Sequence, residues 1–282
     1  MLRASDGVEL YVEVHGEGPA VVLSCAYCTT CENFRPQVET LTRAGYRVAI
    51  WDYRGHGRSQ VPARDESYSM AQVVDDLGRV VDLASTDAPA VVGGLSFGGL
   101  ASLHLALARP ERVRALLLLD SGPGFKNPEA QARWEKQVER TARFVLERGM
   151  RDFVRGRAAP TLVGRHPERP EARAAAAAIE AQDPAGLARF GRRVAGPAEA
   201  VLDRLPEIRV PALVLVGSED APYLRAAEVM AARLPAARHR VLEGAGHIGN
   251  LEQREAFDRE LLDFLREVAP PGRAAVSDGD TG

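Results

Sequence analysis

Short apolar runs alternate with amphipathic stretches along most of the chain. The run at 8–14 (VELYVEV) alternates apolar and polar residues, the period of a strand with one solvated face. Nearly continuous apolar runs, typical of strands buried on both faces of a parallel sheet, follow at 20–24, 46–52, 89–94 and 113–120, and two later strands are predicted at 210–217 and 238–244. Helices are predicted between and after them at 33–44, 69–86, 98–109, about 223–234 and about 251–268. This alternation predicts an α/β fold with a doubly wound, mostly parallel sheet and right-handed crossovers.

The middle of the chain breaks this pattern. Residues 126–207 contain no convincing strand run, only Ala-, Arg- and Glu-rich helical sequence with five prolines between 160 and 197. We interpret them as a helical lid inserted after the sixth strand, the one that ends at Asp120, because open α/β sheets bind ligands at the carboxyl ends of their strands. A helical bundle that only thickens the fold is the alternative. The predicted division is a core of 1–125 and 208–269, a lid of 126–207 and a disordered Gly/Pro-rich tail of 270–282.

Composition narrows the class of protein. The chain has 282 residues, of which 45% are hydrophobic, and a net charge of −3. This balance argues against a nucleic-acid partner, because no basic excess is present to neutralise phosphates. The longest apolar runs are far shorter than the roughly 20 residues that a bilayer crossing needs, so no membrane association is expected. Residues 126–207 carry sixteen Lys and Arg against twelve Asp and Glu, which indicates either steering of an anionic substrate or simply a solvated Arg-rich surface.

The first residues and the cysteines indicate a reducing compartment. Asp6 and Glu9 lie where a signal peptide would need an apolar core, so we expect a cytoplasmic protein. Cys25, Cys28 and Cys31 are close together, but a fourth ligand of the usual kind is missing nearby, so no metal site is predicted.

The strongest chemical signal is the sequence VVGGLSFGGLASLHLALA at 91–108. A strand leads directly into Gly94-Leu95-Ser96-Phe97-Gly98 and then into a helix, the strand–turn–helix context of an exposed nucleophilic serine. We expect the residues two before and two after Ser96 to crowd each other, so that only glycine fits. The spacing lacks the GxGxxG pattern and the lysine of phosphate-binding loops, which leaves Ser96 as the predicted nucleophile.

A serine nucleophile needs a histidine base. His247 in GAGHIGN lies among glycines after the last predicted strand, where its ring could reach the serine at little steric cost. His56 in DYRGHGRS is the only serious rival, and we expect it instead to hold its own loop by hydrogen bonds.

The base in turn needs an acid to orient it. Asp220 follows the strand at 210–217 and gives the chain order Ser96, Asp220, His247, which this kind of nucleophile turn requires. Asp120, at the end of an earlier strand, ranks second and Glu219 third.

These motifs together resemble the α/β-hydrolase superfamily, in particular its lid-bearing esterases and lactonases. The resemblance covers 6–125 and 208–268 and rests on WDYRGHGRS, GLSFGG, GSED and GAGH. One motif departs, since Cys25-Ala26 stands where most relatives carry His-Gly. In this respect the chain is similar to the 3-oxoadipate enol-lactonase branch, which also lacks His-Gly at this position. The similarity indicates a lactone substrate.

The resemblance implies the rest of the site. The backbone N–H groups of Tyr27 and Phe97 would form the oxyanion hole, which tolerates a change of side chain. The candidates for contact with the substrate are Cys25, Ala26, Cys28 and Ile248.

The expected function is that of a serine hydrolase acting on a small carboxylic ester or lactone, with no cofactor. Carbon–carbon bond hydrolysis or perhydrolysis by the same three residues remains open, as does a ligand receptor that binds without turnover. The sequence also leaves open whether two chains pair as a homodimer.

Overall fold

A computed structural model describes residues 1–272 and contains a seven-stranded sheet and a small two-stranded sheet. The strands are β1 Leu2–Arg3, β2 Glu9–Leu10, β3 Val12–His15, β4 Ala20–Ser24, β5 Arg47–Trp51, β6 Ala90–Leu95, β7 Val113–Leu119, β8 Ala212–Gly217 and β9 Ala237–Leu242. The α-helices are α1 Arg35–Arg43, α2 Met70–Ala84, α3 Phe97–Ala108, α4 Pro128–Arg155, α5 Pro160–Val163, α6 Pro170–Glu180, α7 Pro184–Phe190, α8 Ala221–Arg233, α9 Gly249–Glu252 and α10 Arg254–Val268. Short 3₁₀ turns cover Cys31–Phe34, Asp65–Ser67, Pro110–Arg112 and Leu202–Glu207, and a π-helical turn covers Gly191–Ala195.

The large sheet has the order β3-β5-β4-β6-β7-β8-β9. β3 pairs antiparallel with β5, and the pairs from β5 through to β9 are all parallel. The doubly wound, mostly parallel fold expected from the apolar runs is therefore confirmed. The run at 8–14 forms two strands rather than one, since β2 pairs with β1 in the small sheet and β3 joins the edge of the large one.

Two hydrophobic cores cover the two faces of the large sheet. One packs Val21 and Leu117 against α1 and α10 through residues such as Phe257, and the other packs Trp51 and Leu118 against α2, α3 and α8. Each fully buried aliphatic or aromatic side chain contributes about 1.5–3 kcal/mol relative to an exposed one. Because both faces are covered, the polar groups of the site lie at the carboxyl edge, where β4, β6, β7 and β8 end.

The helical insertion, 126–207, holds α4 to α7 and is tied closely to the rest of the chain. It follows β7, which is the fifth strand of the large sheet in chain order and the seventh overall, so the predicted count of six strands before it was wrong. Ala142 and Val145 of α4 and Ile179 of α6 belong to the same core as Phe257. α4 is interrupted at Gly149, whose φ of 80° is one that glycine adopts freely.

Several charged residues of the insertion form ion pairs on its surface. Arg192 pairs with Glu139, and Arg155 pairs with Glu180. Other basic residues of the insertion, such as Arg143 and Arg148, are in no ion pair of the described chain, so both interpretations of the basic excess stay open. The lid role of the insertion stays a prediction, and of the predicted tail all but residues 270–272 lie outside the described residues.

Across residues 1–272, none of the helices combines the length and the apolar character needed to cross a membrane.

Candidate active site

Ser96 lies at the end of β6, the central strand, and caps the N-terminus of α3. Its φ of 54° and ψ of −113° put a non-glycine residue in a strained conformation, which the fold maintains through the Ser96 N–H bond to the Leu119 carbonyl at 2.8 Å. The turn projects the side chain above the sheet edge and places it next to the positive end of the helix dipole.

The glycines flanking Ser96 are required by a third segment of the chain. A Cβ added at Gly94 or at Gly98 would collide with the carbonyl oxygen of Ser24, at the end of β4. The expectation that these two glycines crowd each other was therefore wrong in its cause. Glycine is needed because the backbone after β4 passes directly against the turn.

Asp220 and His247 form a direct pair. Asp220 follows β8 and precedes α8, and its Oδ2 lies 2.7 Å from Nδ1 of His247, in the loop after β9. The His247 side chain is 10% exposed, so the pair is largely shielded from solvent. A carboxylate that accepts the Nδ1 proton leaves Nε2 free to accept another, which is the tautomer a general base needs.

Tyr223, which the sequence patterns did not single out, connects this pair to the serine. Its hydroxyl lies 3.3 Å from Ser96 Oγ, and its ring stacks on the His247 ring with centroids 4.8 Å apart. Within the described chain the hydrogen-bond partner of Ser96 Oγ is Tyr223 and not His247, so the serine must rotate before it can transfer a proton. A signal was present, since Tyr223 lies three residues after Asp220 at the start of a helix, on the same side.

The two lower-ranked acids have other partners. Asp120, at the end of β7, accepts the Gly217 N–H at 2.7 Å and has a φ of 42°. Burial, with Asp220 and Glu252 nearby, raises the pKa of the Asp120 carboxyl well above its usual value. Glu219 points outward and pairs with Arg165 of the insertion. Of the three candidate acids, Asp220 is the one that pairs with His247, and its role as the acid stays a prediction.

The amides of Tyr27 and Phe97 come from adjacent segments, since β4 and β6 are neighbours. Phe97 is the first residue of α3, so its N–H has no acceptor within the helix. Tyr27 is the second residue of a turn closed by the Thr29 N–H bond to the Ala26 carbonyl. In residues 1–272, neither amide has an acceptor among the loop and turn hydrogen bonds.

His56 is enclosed in protein and does not reach the serine. Its Nε2 lies 3.4 Å from the Cys28 N–H, and its Nδ1 lies 3.5 Å from the Arg54 carbonyl. Burial lowers the pKa of His56 to about 4, so the ring is neutral near pH 7 and its Nε2 can accept a hydrogen bond. The predicted loop-holding role of His56 fits these contacts.

The four predicted substrate contacts are packed into the protein. Cys25, Ala26, Cys28 and Ile248 are at most 3% exposed, so in this conformation they offer little surface to a ligand, and their contact with substrate stays a prediction. All three cysteines are free thiols, and burial raises the pKa of Cys25 and Cys28, which makes them unreactive. Cys25 lies in one core while Cys28 and Cys31 lie in the other.

The strand–turn–helix serine, the acid after β8 and the histidine after β9 define an α/β-hydrolase. The chain belongs to the α/β-hydrolase superfamily, within the family described as serine aminopeptidase, S33, whose sequence model matches residues 18–252. The predicted resemblance is thereby confirmed, and the protein is a hydrolase.

Individual relatives carry several hydrolase names. A protein of Variovorax paradoxus named as a carbamate hydrolase, RutD, is 31% identical over 93% of this chain and 98% of its own length. A thermophilic esterase from Thermogutta terrifontis matches with a TM-score of 0.81 and 28% identity over 95% of this chain and 97% of its own. The enol-lactonase of Burkholderia xenovorans matches with a TM-score of 0.77 and 28% identity over 93% and 98% of the two chains.

Proposed function

We propose that the protein hydrolyses a small carboxylic ester or lactone through an acyl-enzyme on Ser96. The observation that carries the proposal is the 2.7 Å Asp220–His247 contact, which Tyr223 links to a serine on a strained turn. The similarity to a solved esterase and a solved enol-lactonase supports the substrate class.

The proposed reaction has two halves. Ser96 Oγ attacks the carbonyl carbon while His247 Nε2 takes its proton, and the resulting oxyanion accepts hydrogen bonds from the Tyr27 and Phe97 amides. Collapse of this tetrahedral intermediate breaks the bond between the carbonyl carbon and the leaving-group oxygen. The leaving-group oxygen receives the proton from His247. Water then attacks the acyl-enzyme with His247 again acting as base, which releases the acid and restores Ser96.

Replacement of the nucleophile tests this proposal. Ser96→Ala should lower kcat for short-chain p-nitrophenyl esters by on the order of 10⁴-fold or more, because no other group can form the acyl-enzyme. A fluorophosphonate should label the wild-type chain at Ser96, as located by peptide mass spectrometry. Ser102→Ala is the matched control, since Ser102 lies on the same helix but bonds the Gly98 carbonyl. Full activity in Ser96→Ala would remove the proposal.

Carbamate cleavage is a second candidate, favoured by the 31% identity to the relative named for it. It would use the same acyl transfer, so the substrate panel should compare esters, lactones and simple carbamates by kcat/KM. Turnover of a ring-fission diketone, or of acetate with peroxide, would favour the carbon–carbon hydrolase or perhydrolase alternatives. Labelling of Ser96 without turnover of any compound would favour a ligand receptor.

A further inference from the structure

We propose that Gln182, in the link between α6 and α7 of the insertion, is a positioning residue that locks the turn carrying the Tyr27 oxyanion donor. The inference rests on the proposed function and extends it, because it makes the insertion part of the catalytic apparatus and not only a cover.

The turn at 26–29 is strained and needs external support. Cys28, its third residue, has a φ of 74°, a conformation usually left to glycine at this position of a turn. Rotation of the peptide between Tyr27 and Cys28 would relieve that strain. It would also change ψ at Tyr27, and so disturb the backbone next to the Tyr27 N–H, which lies in the preceding peptide and on which the proposed oxyanion hole depends.

Gln182 bonds one side of this turn and the loop beside it. Its side-chain nitrogen donates to the Cys28 carbonyl at 3.0 Å, and its Oε1 accepts the Gly57 N–H at 3.0 Å. The residue is 4% exposed, so both bonds are shielded from competing water. His56 accepts a hydrogen bond from the Cys28 N–H. Both backbone polar groups of Cys28 are therefore bonded, the N–H to His56 of the core and the carbonyl to Gln182 of the insertion.

A second contact places the insertion against the same turn. The Tyr27 hydroxyl reaches the Leu187 carbonyl of α7 at 3.4 Å, and the Tyr27 ring stacks on Phe190 with centroids 6.1 Å apart. The side chain of Tyr27 therefore packs on the insertion, so the insertion contacts two consecutive residues of the turn.

The test compares Gln182→Met with Gln131→Met. Methionine is similar in length and volume, so the buried site stays filled while both hydrogen bonds are lost. Gln131 lies in the same insertion and bonds the Gly196 carbonyl, which is also in the insertion, so its variant controls for general loosening of that region. Gln182→Glu keeps an acceptor for Gly57 but loses the donor to Cys28.

Gln182→Met and Gln182→Glu should both lower kcat by about tenfold, a fraction of the 10²–10³-fold lost when an oxyanion donor is removed outright. KM should change little, and the factor should be the same across acyl-chain lengths, because every substrate forms the same oxyanion. Hydrogen–deuterium exchange in residues 25–30 should become faster in both variants. Gln131→Met should show neither effect.

Unchanged exchange in 25–30 would overturn the inference, whatever the activity. Faster exchange with unchanged kcat would overturn its catalytic part, and losses that vary with the acyl chain and appear in KM would assign Gln182 to the pocket wall instead. If the wild-type enzyme cleaves no ester, lactone or carbamate, the proposed function fails, while the exchange measurement still decides whether Gln182 holds the turn.

Discussion

The two sides of the candidate site are built in different ways. On the acid–base side, the side chains of Asp220 and Tyr223 each contact His247 directly. On the proposed oxyanion side, the two candidate groups are backbone amides, those of Tyr27 and Phe97. The amide of Phe97 is held by the strand–helix turn itself. The turn that carries the Tyr27 amide is held at its next residue, Cys28, by His56 and Gln182 from distant parts of the chain.

This difference decides where each side is vulnerable. A substitution on the acid–base side removes a reacting or contacting group at once. On the Tyr27 side, a substitution elsewhere changes the position of the Tyr27 amide and leaves Tyr27 itself intact. Large losses are therefore expected when Asp220 or His247 is changed, and graded losses when the support of the Tyr27 turn is changed.

The largest contrast is expected between two aspartates. Asp220→Asn should lower kcat by on the order of 10³–10⁴-fold, because the amide cannot hold His247 in the tautomer that accepts the serine proton. Asp120→Asn should keep kcat within about threefold, since Asp120 accepts the Gly217 N–H and does not pair with His247, and asparagine can still accept that N–H. Steady-state kinetics with one ester at pH 7.5 checks both.

The stability of the two aspartate variants provides a second check. The pKa of Asp120 is higher in the folded than in the unfolded chain, so its carboxyl favours folding at low pH and this contribution to stability is lost as pH rises. Asparagine does not ionise, so Asp120→Asn should raise the Tm near pH 7. Equal catalytic losses in the two variants would show that both carboxyl groups share the role of the acid.

His56→Asn probes the support of the Tyr27 turn through its pH dependence. The folded-state pKa of His56, about 4, lies below the ordinary histidine value of 6.5, so this residue's contribution to stability is full above pH 6.5 and declines as pH falls toward 4. The decline can reach about 3 kcal/mol, at 1.36 kcal/mol per pKa unit. Urea unfolding at pH 7 and pH 4.5 should show a smaller pH effect in His56→Asn than in the wild type.

His166→Asn, which removes a half-exposed imidazole from the insertion, is the control for this measurement. If the wild type and His56→Asn lose the same stability between the two pH values, His56 is not the buried neutral histidine that the contacts indicate.

Tyr223→Phe should have the smallest effect, and it should be a gain. Removing the hydroxyl frees Ser96 Oγ from a hydrogen bond of about 0.5–1.5 kcal/mol that competes with the bond to His247, so serine phosphonylation should become about two- to tenfold faster. The second-order rate constant with a fluorophosphonate measures this. A slower reaction would mean that the Tyr223 hydroxyl assists the attack and does not compete with His247 for the serine.

Local sequence was sufficient for the fold and for the choice of Ser96, Asp220 and His247 as candidate site residues, but it did not single out Tyr223. The apolar runs predicted β4, β6, β7 and β8 correctly, because strands buried on both faces of a sheet must be apolar throughout. Ser96 was visible because a nucleophile turn needs small residues at fixed offsets. His247 and Asp220 were predicted, and lie in contact, because side chains at the ends of parallel strands meet at one edge of the sheet.

The chain by itself therefore determined the features that depend on periodicity and on residue type at a strand end. Only the tertiary structure decided which atoms meet. Ser24, 70 or more residues before Gly94 and Gly98, is the reason for those glycines, and Gln182 contacts Cys28 across 154 residues. No local pattern carries such information, because a single buried hydrogen bond between distant segments depends on how the whole chain packs and not on the residues beside it.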